Sequence, residues 1–159
     1  MAGDASKIGG NGFLPAYERA ARRLFARIER SCAAEQPWPL RVRDALRAAL
    51  ELFAADPELG CVLVFEAYAE GPEAQARHEE TIARLTGLLR HGREEEDAPP
   101  MPEHVEEGLI GGLAFIVGRP LRDDRPADLL DLAPELTALI LTPYLGRAEA
   151  ERVAGIAPA

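Results

Sequence analysis

Apolar residues in this chain recur three and four positions apart in one stretch after another, the spacing that winds a single apolar stripe onto an α-helix. Leu14, Tyr17, Ala21, Leu24, Phe25, Ile28 and Cys32 make the first stripe and predict a helix from about Phe13 to Glu35. Arg19, Arg22, Arg23, Arg27 and Arg30 fall largely off the stripe and solvate the rest. At ~1.5 Å per residue this helix is roughly 35 Å long, enough to act as a spine. Pro37-Trp38-Pro39 ends it, because proline fixes its own φ and disfavours helix in the residue before. Trp38, between the two prolines, is expected to cover the corner between the first two helices.

A second helix is predicted from about Leu40 to Ala55, with Val42, Leu46, Ala49, Leu50 and Phe53 on its buried side. Asp56-Pro57-Glu58 then reads as a helix start, with an Asp cap, a proline at the first helical position and an acid near the positive end of the dipole. The third helix, Pro57 to Glu70, is apolar nearly all round its middle. A strand would also fit that short run, but nothing else in the chain could pair with it. Gly71-Pro72 opens a fourth helix to about His91, burying Ile82, Leu85, Leu88 and Leu89. Gly92 to Pro102, rich in acids and prolines, reads as a mobile loop. A fifth helix runs from Glu103 to about Val117, and a last one from Leu129 or Pro134 to about Thr142, stopped by Thr142-Pro143-Tyr144-Leu145-Gly146. The pattern predicts an all-α bundle of about six helices.

Gly108, Gly111 and Gly112 contradict the propensity of the fifth helix, each costing about 1 kcal/mol against alanine. Small residues four apart allow another helix backbone to come close. Two explanations stay open: packing inside one subunit, or a contact between subunits that also uses the apolar last helix. In the second, Leu109, Gly112, Leu113 and Ile116 meet Leu136, Leu139, Ile140 and Tyr144 across a symmetric dimer.

The 159 residues carry a formal net charge of -9. The charge is uneven: residues 12–47 hold eight Arg and four acids, a sum of +4, whereas residues 48–159 hold nine Arg and twenty-two acids, a sum of -13. Most of the chain would repel nucleic acid. No apolar run approaches the ~18 residues of a membrane span, and nothing at the start resembles a signal peptide. Two cysteines, Cys32 and Cys61, are too few for a disulfide framework and suit a reducing, cytoplasmic setting as core residues.

Catalytic and phosphate-binding signatures are missing from the sequence, so no enzyme activity, cofactor or metal is expected. His78-Glu79-Glu80 and His104 with Glu107 could donate to a metal, but solvated helix ends explain them better. A ligand pocket is the more plausible chemistry, since apolar and aromatic walls with a few orienting polar groups make such sites. Phe53, Phe65, Tyr68, Leu85, Leu89 and Phe115 are the candidate lining, and Glu66 is the candidate polar contact. Glu66 could equally pair with Arg43 or Arg47. A ligand for this pocket is expected to be apolar or aromatic, and uncharged or cationic given the acidic surroundings.

Trp38-Pro39, Val42-Arg43-Asp44-Ala45-Leu46, Phe53-Ala54-Ala55-Asp56-Pro57-Glu58-Leu59 and Phe65-Glu66-Ala67, in that order, resemble the C-terminal regulatory domain of TetR-type transcriptional regulators. Gly108-Leu109-Ile110-Gly111-Gly112 and Leu141-Thr142-Pro143-Tyr144-Leu145-Gly146 look like the two final, dimer-forming helices, and Phe13-Leu14-Pro15-Ala16-Tyr17 like the start of the long helix behind the DNA-binding head. The resemblance implies residues 13–148 as a homodimeric domain that binds a small-molecule effector, flanked by a disordered segment 1–12 and a tail 149–159. The family's three-helix head does not fit into the residues before Phe13, so direct contact with DNA is not expected of this chain. The competing expectation is a purely structural module that pairs with other regulators.

Overall fold

A computed structural model describes residues 12–157, and no strand occurs among them. Seven α-helices follow in order: α1 Phe13–Ser31, α2 Trp38–Ala55, α3 Pro57–Val64, α4 Pro72–Arg90, α5 Val105–Arg122, α6 Ala133–Leu145 and α7 Arg147–Ala154. Short 3-10 turns at Glu66–Ala69, His91–Glu94 and Pro126–Leu132 join them. The fold is all-α, one helix richer than the stripe pattern predicts. The expected disordered segment 1–12 lies, apart from Gly12, outside the described residues. No helix among the described residues is long and apolar enough to cross a membrane.

Local chemistry explains most of the boundaries. Asp56 caps α3, its Oδ1 accepting from the Leu59 N–H at 3.1 Å, while Arg23 Nη1 on α1 holds its other oxygen at 2.6 Å. That acid therefore starts one helix and ties it to another. α3 is shorter than the predicted Pro57–Glu70, because Phe65 leaves the helical region (φ -145°) and a 3-10 turn carries the chain to Ala69. α5 runs past the expected end at Val117 and through Pro120, with Leu121 buried against Gly60 of α3. Pro120 leaves the Ile116 carbonyl without its helical donor, a cost that the buried Leu121 anchor offsets. α6 likewise continues through Pro143 to Leu145, since Tyr144 is 1 % exposed and sits in the core. Residues 149–159 are not a tail throughout: α7 packs on α6 and buries Ala150 and Val153.

One polar cluster locks the end of the bundle. Glu106, on the first turn of α5, is fully buried and receives Arg93 through two bonds, Nε to Oε1 at 2.6 Å and Nη2 to Oε2 at 2.7 Å. Tyr144 Oη donates to the same Oε1 at 3.1 Å. Arg93 also donates to the carbonyls of Met101 and Pro102. The stretch 92–102, expected to be mobile, is therefore strapped down by its own arginine. Trp38 stacks edge-on against Tyr144 at 4.8 Å and donates Nε1–H to the Leu88 carbonyl at 3.3 Å. Rather than a cover over a corner, Trp38 is a 5 % exposed junction between α2, α4 and α6.

Candidate functional site

α1, α2, α4 and α5, with Leu63 and Val64 of α3 and Ile140 of α6, line an open cavity of about 350 Å³, within the range of roughly 300–1,000 Å³ usual for small-molecule sites. Its walls are Leu24 and Ile28 of α1, Val42, Leu46, Leu50 and Phe53 of α2, Ile82, Leu85 and Leu89 of α4, and Ile110, Leu113 and Val117 of α5. The hollow has a simple origin. Ala45, Ala49 and Ala114 occupy wall positions and withhold the side-chain volume that would fill a close-packed interior.

Polar groups gather at two places on this apolar barrel. His78 and Thr81 form one, near the start of α1. His78 is 4 % exposed, its Nδ1 lies 3.1 Å from Tyr17 Oη, and the Tyr68 ring meets it edge-on at 4.9 Å. Burial lowers the His78 pKa, so the imidazole is neutral near pH 7, and burial raises the Tyr17 pKa, keeping the phenol protonated. Thr81 Oγ1 donates to the Arg77 carbonyl.

The second polar group frames the mouth, where the ends of α1 and α4 meet the start of α2. Glu29, Leu88 and His91 are exposed there, with half-buried Cys32 and Arg41 beside them. Glu29 is engaged by Arg84 Nη2 at 3.3 Å, and His91 Nδ1 by the Gly87 carbonyl at 2.9 Å. Among the described residues Arg41 has no ion-pair partner, and its buried Nε has no hydrogen-bond acceptor.

Of the residues proposed from sequence to line a pocket, Phe53, Leu85 and Leu89 are in the wall. Phe65, Glu66, Tyr68 and Phe115 are outside it. Phe65 sits beneath the Arg122 guanidinium at 5.7 Å, and Phe115, 58 % exposed, beneath Arg119 at 4.8 Å. Tyr68 is 63 % exposed, because the chain turns at Phe65 and carries it off the inner face. Glu66 is half-buried with no ion pair among the described residues. Arg43 bonds Asp44 and Arg47 bonds Glu51 instead. Burial and the neighbouring Glu70 and Glu58 carboxylates push the Glu66 pKa up.

His78 is buried rather than solvated. It lies on the α4 stripe Ala74, His78, Ile82, Leu85, Leu89, so its inward position was legible from spacing alone. His104 is exposed, 3.9 Å from Glu107. The described residues hold no cluster of three or more metal-ligating side chains. Both cysteines are free and half-buried.

The α5–α6 surface is divided. Leu113, Leu136, Ile140 and Tyr144, expected in a subunit contact, point into the protomer instead; Leu113 and Ile140 line the cavity, and Leu136 and Tyr144 are in the core. Leu109, Gly112 and Ile116 are half-buried and Leu139 is 42 % exposed. A β-carbon on Gly108, Gly111 or Gly112 would meet no atom within 4 Å, so these glycines do not serve packing inside the subunit. No protein-family model, curated protein or solved structure matches this chain.

Proposed function

We propose that this chain is a TetR-like effector-binding and dimerisation domain, responding to a small ligand with an apolar body. The observation that carries the proposal is the apolar cavity of about 350 Å³ between α1, α2, α4 and α5. An apolar hollow of this size forgoes packing energy that a few larger side chains would recover, and a ligand supplies the missing contacts. The open face of α5 and α6, with Gly108, Gly111, Gly112, Phe115 and Leu139, supports pairing with a second copy. Ligand occupancy shifts the population between dimer geometries by holding α1 and α4 at one spacing.

Thermal melting with a panel of small apolar compounds tests the ligand half of the proposal. A compound that binds the native state raises the melting temperature with its concentration. Silence across a broad panel contradicts effector binding. If sedimentation still reports a dimer in that case, the purely structural pairing module is the better account.

A further inference from the structure

Resting on the reading of the cavity as a ligand site, we infer that its ligand is an amphipathic carboxylate, with its hydrocarbon body in the barrel and its carboxylate on Arg41 at the mouth. This reverses the expectation of an uncharged or cationic ligand, which followed from the acidity of the whole chain. Local charge decides the matter at a binding site, and the mouth differs from the chain average.

The titratable groups around the opening are Glu29, Arg41, His91 and Cys32. The single acid, Glu29, is already answered by Arg84. The acid one turn along α2 from Arg41 is Asp44, and both of its oxygens are occupied: Oδ1 by Arg43 Nε at 2.8 Å and Oδ2 by Gln36 Nε2 at 2.8 Å. Arg41 is thus left with a guanidinium beside an apolar cavity and a buried Nε–H without an acceptor. That Nε is closed off even from water, so the groups a ligand can reach are the two terminal nitrogens, which hold no partner among the described residues. The planar guanidinium fork matches a carboxylate in a two-point, charge-assisted contact. One unpaired guanidinium, with Glu29 also among the lining residues, suits a single negative charge better than a phosphate dianion. Cys32 Sγ donates to the Arg41 carbonyl at 3.5 Å, tying the end of α1 to this turn of α2 and so fixing where the arginine stands.

Decanoate, 1-decanol and decylammonium share one hydrocarbon body and differ in head charge. Trp38, the one tryptophan in the sequence, lines the cavity and reports binding by fluorescence. At pH 7 and below micellar concentrations, decanoate should bind about tenfold more tightly than decanol, and decylammonium most weakly. Arg41→Gln should bring decanoate down to the affinity of decanol, with an unchanged helical circular-dichroism spectrum and melting temperature verifying that the variant is folded. Arg41→Lys should keep part of the preference. Equal or tighter binding of decanol or decylammonium overturns the inference and leaves the cavity reading standing. So does a preference for decanoate that survives Arg41→Gln. If none of the three compounds perturbs Trp38 or the melting temperature, the cavity reading falls and the inference falls with it.

Discussion

A β-carbon placed on Gly92 would overlap the six-membered ring of Trp38, with Cζ3 only 2.8 Å away. Gly92→Ala should therefore destabilise the fold by about 1–3 kcal/mol, the usual cost of forcing extra volume into a packed site, measured by urea unfolding. Glu106 makes a different demand. Its bonds from Arg93, set against the burial that opposes ionisation, take its pKa from an ordinary 4.5 to about 2. A depressed carboxyl stabilises the fold above its unfolded pKa, and that stability drains away as pH falls from about 4.5 to 2. Glu106→Gln should lower stability at pH 7 by roughly 3 kcal/mol and flatten the acid limb of the stability curve. His78 works in the same pH direction by another route. Burial depresses its pKa, so protonation favours the unfolded chain, and stability falls as pH drops below the ordinary 6.5. His78→Gln should remove that part of the slope. The sequence announced neither Gly92 nor Glu106. A glycine in an acidic, proline-rich stretch reads as loop, and a glutamate at a helix start reads as a dipole partner facing water. Only the return of Trp38, Arg93 and Tyr144 from distant positions makes them core residues.

Helices legible in the sequence were those with strong punctuation and a full apolar stripe. Asp56-Pro57 started α3 where expected because cap, proline and acid all act within one turn. The ends failed where a buried anchor lay beyond a breaker, as with Leu121 after Pro120 and Tyr144 after Pro143. α7 escaped because its buried side consists of Ala150 and Val153, and so small a stripe hardly registers as periodicity. The glycines of α5 carry a sharper lesson. Their side of the helix is open, so a β-carbon at Gly112 meets nothing within the subunit and Gly112→Arg can direct its side chain outward. The variant should keep the helical circular-dichroism spectrum of the parent and lose only the concentration-dependent part of the melting temperature that pairing supplies. Sedimentation equilibrium should nevertheless show it shifted from dimer to monomer, and Leu139→Glu should behave alike. If both variants sediment as the parent does, α5 and α6 are not the pairing face.

In the molecule as a whole, the apolar barrel followed from periodicity but its opening did not. Phe53, Leu85 and Leu89 reach the cavity because inward stripes of neighbouring helices must converge. Phe65, Tyr68 and Phe115 were drawn in by aromatic character, which says nothing about direction once the chain bends at Phe65 or a helix presents an outer side. The space itself comes from small residues, an absence of volume that hydrophobic pattern cannot display. Ala49→Phe should fill part of it, keep the helical fold and abolish ligand-induced stabilisation in thermal melting. The most direct test is methyl NMR of the isoleucines during titration with a neutral probe such as 1-decanol. Ile28, Ile82, Ile110 and Ile140 line the cavity, whereas Ile116 and Ile156 do not. The account predicts saturable shifts in the first four methyls and little change in the other two. Shifts confined to Ile116 and Ile156, or none in any methyl, would contradict it.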